Sequence, residues 1–220
     1  TNSSMTSTHT RSSTTNTSSS TSTQVFEIID RLRNCLFIVP HIIQSKRVFC
    51  LYEKSYLTGI MYAFSDGALN NTVVEDNSSA MFGGGIWANN SDNIVLTDVS
   101  INGNPSAQNG GGWASHRVTA DFSDCSFSDN VSNASTGQFG GGAMWLVASS
   151  PTIENVVFSS NLTTSNGGAI YLLNDGELGS NPIISNSMFN NNSSANFGGG
   201  VFSGSGCLPI IRGSKFKGND

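Results

Sequence analysis

Short apolar segments alternate with polar corners along residues 55–220, and two landmarks return at each repeat. The first landmark is a tetrapeptide that starts with an apolar residue and ends with asparagine, as in VEDN, FSDN and FKGN. Its asparagines are Asn77, Asn104, Asn130, Asn161, Asn192 and Asn219. Successive copies are 27, 26, 31, 31 and 27 residues apart. The second landmark is a glycine run that enters an apolar strand, as in GGGIWA and GGAIYL. Periods of this length predict a repeat architecture.

Further columns keep the same register as the asparagines. Three residues before each asparagine stand Val74, Ile101, Phe127, Phe158, Phe189 and Phe216. Eight residues before it stand Leu69, Leu96, Phe122, Ile153, Ile184 and Ile211. Each unit is too short to fold alone, so stacking the units in parallel buries these columns and pairs the backbones of successive coils about 4.8 Å apart. The pattern predicts an all-β fold, a right-handed parallel β-helix of about six coils, because parallel crossovers are almost always right-handed.

The two landmarks predict the corners of each coil. Asparagine tolerates left-handed backbone angles, bonds nearby backbone groups and forms ladders when stacked. Glycine marks a corner where a positive φ or a close backbone approach excludes a Cβ. The predicted glycine corner comprises Gly84, Gly85, Gly111, Gly112, Gly141, Gly142, Gly167, Gly168, Gly199 and Gly200.

The chain before the repeats has a different character. Residues 1–23 are almost wholly Ser, Thr and Asn, which predicts a disordered tail. Residues 24–54 are predicted to form a cap or a linker, in which Val25, Phe26, Ile28, Ile29 and Leu32 at helical spacing favour a short helix that caps the apolar end of the first coil. No apolar run approaches the ~18 residues needed to cross a bilayer. Because the sequence stops inside a repeat, we expect it to be part of a longer solenoid.

Charge and cysteine spacing narrow the classes of partner. Residues 55–220 carry four basic and twelve acidic side chains, and such an acidic surface repels phosphate backbones, so nucleic acid is not expected as a partner. The cysteines Cys35, Cys50, Cys125 and Cys207 lack the C-x-x-C spacing of a zinc site. We expect neither a metal nor a cofactor. Whether Cys35 and Cys50 form a disulfide is left open.

The strand after the glycines predicts a binding surface. Counting from the last glycine of each run assigns Met61, Trp87, Ala114, Met144, Ile170 and Phe202 to the core. Side chains alternate along a strand, so their neighbours are expected to point outward. This outward strip comprises Tyr62, Ile86, Trp113, Trp145 and Tyr171. Outward aromatic rings are a platform for sugar rings or for a protein partner, although a cap or a loop could instead cover them.

The acidic and basic residues of the repeats give little indication of a catalytic site. Asp121 and Asp124 flank the core position Phe122 on one strand, but no second acidic cluster accompanies them as the carboxylate pair of a pectin hydrolase requires. A lyase needs a Lys or Arg base. Arg117 is the only basic residue in the repeats before the last coil. We therefore interpret the two aspartates as part of a solvated outer face.

The GGGI, GGGA and GGAI strands, paired with FSDN, FSSN, FNNN and FKGN, resemble the repeats of chlamydial polymorphic outer membrane proteins. That resemblance implies an autotransporter passenger displayed at the cell surface and acting in adhesion. We therefore expect a non-catalytic, extracellular scaffold that binds a glycan or a protein along one face. The alternatives are a fragment of a polysaccharide lyase or hydrolase with a pectin-lyase-like fold and an ice-binding or structural solenoid.

Overall fold

A computed structural model describes residues 59–63, 65–134 and 139–220. These residues form an all-β, right-handed parallel solenoid of about six coils and contain no helix, so the predicted fold class is confirmed. The predicted tail at residues 1–23 and the predicted cap at residues 24–54 lie outside the described residues. No helix long and apolar enough to cross a membrane occurs in the described ranges.

Eighteen strands build the coils. In chain order they are β1 (Ile60–Ala63), β2 (Gly67–Glu75), β3 (Ile86–Asn102), β4 (Pro105–Ser106), β5 (Trp113–Ser123), β6 (Ser126–Ser128), β7 (Val131–Ser132), β8 (Met144–Val147), β9 (Thr152–Glu154), β10 (Val157–Ser159), β11 (Leu162–Thr163), β12 (Ile170–Leu173), β13 (Ile183–Ser185), β14 (Met188–Asn190), β15 (Ser193–Ser194), β16 (Val201–Ser203), β17 (Ile210–Arg212) and β18 (Lys215–Lys217).

Parallel pairing between successive coils arranges these strands into four faces. Face A, which follows the glycines, contains β1, the first parts of β3 and β5, β8, β12 and β16. Face B contains the first part of β2, the middle of β3, the end of β5, β9, β13 and β17. Face C contains the ends of β2 and β3, β6, β10, β14 and β18. Face D contains the short strands β4, β7, β11 and β15.

The predicted apolar columns line the interior in the predicted register. On face C the rings of Phe127 and Phe158 stack with centroids 5.3 Å apart, and those of Phe158 and Phe189 are 4.7 Å apart. All three rings are fully buried. Burying a phenylalanine stabilises a fold by about 1.5–3 kcal/mol, so this column is a major part of the core.

The six landmark asparagines form a hydrogen-bonded ladder at the corner after face C, which we call the asparagine ladder. Asn130 shows the pattern: its backbone N–H and its Nδ2 both donate to Oδ1 of Asn161, at 3.1 and 3.0 Å. Its Nδ2 also donates to the carbonyl oxygen of Ile101 in the preceding coil, at 2.9 Å. The left-handed φ belongs instead to the residue before each asparagine, such as Asp129 at 55°. The corner therefore uses asparagine for its side-chain bonds.

The glycine corner divides two roles between consecutive positions. The glycine three residues before the first paired residue of face A has a positive φ, as at Gly83 (55°) and Gly141 (72°). The next glycine packs against backbone of the following coil, where a Cβ on Gly142 would lie 2.3 Å from the carbonyl oxygen of Gly168. Alanine occupies the third position of the corner in two coils, as Ala143 before β8 and Ala169 before β12. These constraints fix where face A begins.

Candidate functional site

The predicted outward strip is wrong in three of its five members. Tyr62, Ile86 and Trp113 point into the core, with exposed fractions of 2%, 0% and 1%. Trp145 and Tyr171 do belong to a separate apolar cluster on the outer side of face A.

Strand register explains this error. Backbone pairing aligns Trp87 with Ala114 and Ala114 with Trp145, and it continues to Tyr171 and Phe202. The outward column of face A is therefore Met61, Trp87, Ala114, Trp145, Tyr171 and Phe202. Counting from the last glycine mixes inward and outward residues, because the inward residue directly follows the third glycine in some coils, as at Ile86 and Trp113, but follows an alanine in two others, as at Met144 and Ile170.

Two residues that precede glycine corners complete the cluster. The ring of Phe82 stacks on Trp87 with centroids 4.8 Å apart and lies 5.5 Å from Trp145. Phe202 contacts Tyr171 at 5.0 Å and Phe197 at 6.4 Å. We call Phe82, Trp87, Trp145, Tyr171, Phe197 and Phe202 the aromatic ridge.

The middle of the aromatic ridge is buried, and its two ends are more exposed. Trp145 and Tyr171 are 8% and 3% exposed because their neighbours cover them, whereas Phe82, Trp87 and Phe202 are half-buried and Phe197 is 67% exposed. The ridge thus exposes parts of its aromatic rings to solvent, and the buried indole N–H of Trp145 has no acceptor among the described residues.

A polar group of side chains borders the aromatic ridge. Asn89 and His116 are register neighbours two residues further along face A, and His116 Nδ1 lies 3.2 Å from Asn89 Oδ1. On the other side of the imidazole, His116 Nε2 lies 3.7 Å from Asp175 Oδ2. We call Asn89, His116, Arg117, Asp175 and Glu177 the polar border.

Arg117 closes the polar border by pairing with a loop two coils away. Its Nε and Nη2 lie 2.6 Å from Asp175 Oδ2 and from Glu177 Oε2. Backbone N–H groups of Leu178 and Glu177 donate to Asp175 Oδ1, and together with Arg117 they hold the pKa of this carboxyl well below its usual range. Asp175 is therefore ionised at neutral pH, and together with Glu177 it offsets the charge of Arg117 within the border.

The candidate catalytic aspartates lie away from the aromatic ridge. Asp121 and Asp124 are both exposed, and Asp124 Oδ1 accepts a 3.3 Å hydrogen bond from Asn155 Nδ2.

Among the described residues, no three His, Cys, Asp or Glu side chains are grouped as metal ligands. Burial raises the pKa of the Cys125 thiol to about 11.

Sequence reasoning missed Phe82, Phe197 and the polar border for different reasons. Both phenylalanines directly precede a glycine corner, so their position was available as a signal. The pairing of Arg117 with Asp175 spans 58 residues, about two repeats, but Arg117 has no basic counterpart in the neighbouring coils, so no repeated column predicts it.

Comparison with protein families agrees with the geometry. The family model of the right-handed β-helix region matches residues 58–220. No curated protein and no solved structure matches the chain significantly. With stacked coils, parallel pairing and a family match over most of its length, this chain belongs to the right-handed β-helix family.

Proposed function

We propose that the solenoid is a non-catalytic binding module and that its aromatic ridge and polar border together bind a neutral glycan. The observation that carries this proposal is the juxtaposition of solvent-facing rings with hydrogen-bonding side chains on one face. Trp87 and Phe82 offer flat apolar surface, and Asn89 lies two residues after Trp87 on the same outer face.

Sugar rings suit this surface because they are amphipathic. Their C–H faces pack on aromatic rings, and their hydroxyl groups both donate and accept hydrogen bonds. The polar border supplies an amide at Asn89, an imidazole at His116 and a carboxylate at Asp175. A sugar hydroxyl can donate a hydrogen bond to one of these groups and accept one from another. Such bonds fix the orientation of the sugar and add to its affinity.

Charge favours a neutral glycan over an anionic one. The guanidinium of Arg117 is already bonded to Asp175 and Glu177. The remaining cationic side chains of the repeats, Arg212, Lys215 and Lys217, lie on the last coil. A uronate or sulfate polymer would thus find no unpaired Lys or Arg side chain on face A within the described residues.

The proposed cellular setting is the extracellular surface, where such a module would act in adhesion. Support comes from the low charge, the Ser/Thr-rich composition of residues 1–23 and the resemblance of the repeats to chlamydial surface passengers. Binding is proposed over turnover because Asp121 and Asp124, the acidic pair considered for hydrolysis, stand exposed on a different face from the ridge.

Binding to a panel of immobilised neutral and acidic polysaccharides tests the proposal. We expect retention on a neutral glycan, and Trp87→Ala should weaken the affinity about 30-fold, the effect of losing a hot-spot ring worth about 2 kcal/mol. The matched control is Val157→Ala, an outward apolar residue on face C that is 38% exposed. It should leave affinity unchanged.

Two results would overturn the proposal. Equal loss of affinity in Trp87→Ala and Val157→Ala would remove the ridge from the binding site. Release of soluble oligosaccharides from any polymer in the panel would make the protein a polysaccharide-active enzyme. The melting temperature of each variant shows whether the fold is retained.

A further inference from the structure

Asn-x-Ser/Thr tripeptides, the acceptor sequence for N-linked glycans, recur through the described coils. Their asparagines are Asn70, Asn77, Asn89, Asn130, Asn133, Asn161, Asn191 and Asn192. The structure separates them sharply, because the same tripeptide falls on buried ladder positions in some places and on the outer surface in others.

Both N–H bonds of the side-chain amide are already used in hydrogen bonds at the ladder asparagines. Asn130 and Asn161 are 0% exposed. The Nδ2 of Asn161 donates to the carbonyl oxygen of Phe127 at 3.0 Å and to Oδ1 of Asn192 at 2.8 Å. A carbon bonded to this nitrogen would break one of these bonds and would place a sugar between two coils. Asn77 and Asn192 occupy the same kind of position, at 3% and 0% exposure.

Three asparagines combine the tripeptide with an exposed side chain. Asn70 lies on the outer side of β2, Asn133 follows β7, and Asn191 occupies the corner before the ladder residue Asn192. Asn89 differs from these because it is half-buried and its Oδ1 is within hydrogen-bond distance of His116.

We propose that Asn70, Asn133 and Asn191 are N-glycosylation sites and that the ladder asparagines are closed to this modification in the folded protein. In the transfer, the asparagine Nδ2 bonds to the anomeric carbon of a sugar carried on a nucleotide or lipid diphosphate. The bond from that carbon to the diphosphate oxygen breaks, and one proton leaves the nitrogen. In the cell, this inference rests on the proposed extracellular setting.

The positions of the open sites protect the proposed binding surface. Asn70 lies on face B, Asn191 at the corner between faces C and D, and Asn133 directly after face D. None of these three lies on face A, where the aromatic ridge stands. Glycans on three sides would leave face A as the bare side of the described solenoid.

Enzymatic glycosylation of the purified full chain tests this inference. The folded protein, produced in the bacterial cytosol, is incubated with a soluble N-glucosyltransferase and UDP-glucose, and added hexoses are located by chymotryptic peptide mass spectrometry. Peptides from a prior Glu-C digest of the same protein serve as the matched control, because cleavage after glutamate leaves every one of these tripeptides intact and accessible. We expect hexose at Asn70, Asn133 and Asn191 in folded protein, and additionally at Asn130 and Asn161 in peptides.

The variant Asn191→Gln sharpens the result because Asn192 carries an overlapping tripeptide. It should lose the hexose at that corner without transferring it to Asn192. Hexose on any ladder asparagine of protein that keeps its native melting temperature would overturn the inference. Absence of hexose from the three open sites of folded protein, when the peptides accept it there, would also overturn it. Ligand binding is not involved, so a failed Trp87→Ala test leaves this readout intact.

Discussion

Removal of one rung from the asparagine ladder probes how the coils are held together. Asn161 makes four side-chain hydrogen bonds: its Oδ1 accepts the backbone N–H and the Nδ2 of Asn130, and its Nδ2 donates to Phe127 and Asn192. Truncation in Asn161→Ala leaves the buried backbone N–H of Asn130 without its acceptor. Each such bond contributes about 1 kcal/mol and a stranded buried donor costs about 1–3 kcal/mol, so we expect a loss of about 4 kcal/mol.

The variant Asn161→Asp separates hydrogen bonding from packing. It keeps the shape of the side chain and the accepting Oδ1, but an oxygen replaces the nitrogen and faces the oxygen atoms of Phe127 and Asn192. Ionisation is disfavoured there, so the pKa of the new carboxyl should be raised above its unfolded value. A raised pKa means that the folded state binds the proton more tightly, so the deficit should shrink as pH falls through that pKa.

Urea denaturation followed by circular dichroism measures these differences. Asn70→Ala is the matched control, because Asn70 is exposed on face B and its side chain makes no ladder bond. We expect that control to stay within about 0.5 kcal/mol of the wild type. The reasoning is refuted if Asn161→Ala is no less stable than Asn70→Ala, or if the Asn161→Asp deficit is the same at acidic and neutral pH.

Three further predictions follow from burial and close approach. Gly142→Ala should destabilise the fold by about 3 kcal/mol in thermal melts, because its Cβ would meet the Gly168 carbonyl oxygen at 2.3 Å; a wild-type melting temperature would contradict this. Burial raises the pKa of Cys125 to about 11, so iodoacetamide at pH 8 should label it only after unfolding, as mass spectrometry will detect. Burial raises the pKa of Tyr62 to about 12, so stability should be complete below pH 10 and should fall from there towards pH 12, as measured by alkaline denaturation.

The repeat pattern was sufficient for the fold because its columns coincide with backbone register. The Phe127, Phe158 and Phe189 column was read from its distance to the asparagines, and those same asparagines fix the corner through their side-chain bonds. The asparagine that marks each repeat in the sequence therefore also fixes the register of face C in the structure.

Face A lacked such a reference point in the sequence. The inward residue directly follows the last glycine of a complete GGG corner, as Trp113 does, but it follows an intervening alanine in the two other corners, as Met144 and Ile170 do. An error of one residue reverses inside and outside on a strand. A single count from the last glycine therefore assigns Met144 and Ile170 correctly but reverses Trp113 and Trp87.

Disulfide mapping across two coils tests the central claim, the register of the stacked solenoid, most directly. Val157 and Met188 are register partners on face C, and both are exposed, at 38% and 37%. Cysteines on neighbouring strands at about 4.8 Å fall within the range of Cα separations that a disulfide spans. Air oxidation of the double variant Val157→Cys, Met188→Cys should join the two peptides, whereas Val157→Cys with Asn190→Cys, displaced by two residues, should remain reduced. Rapid bonding of the displaced pair, or none in the aligned pair, would contradict the account.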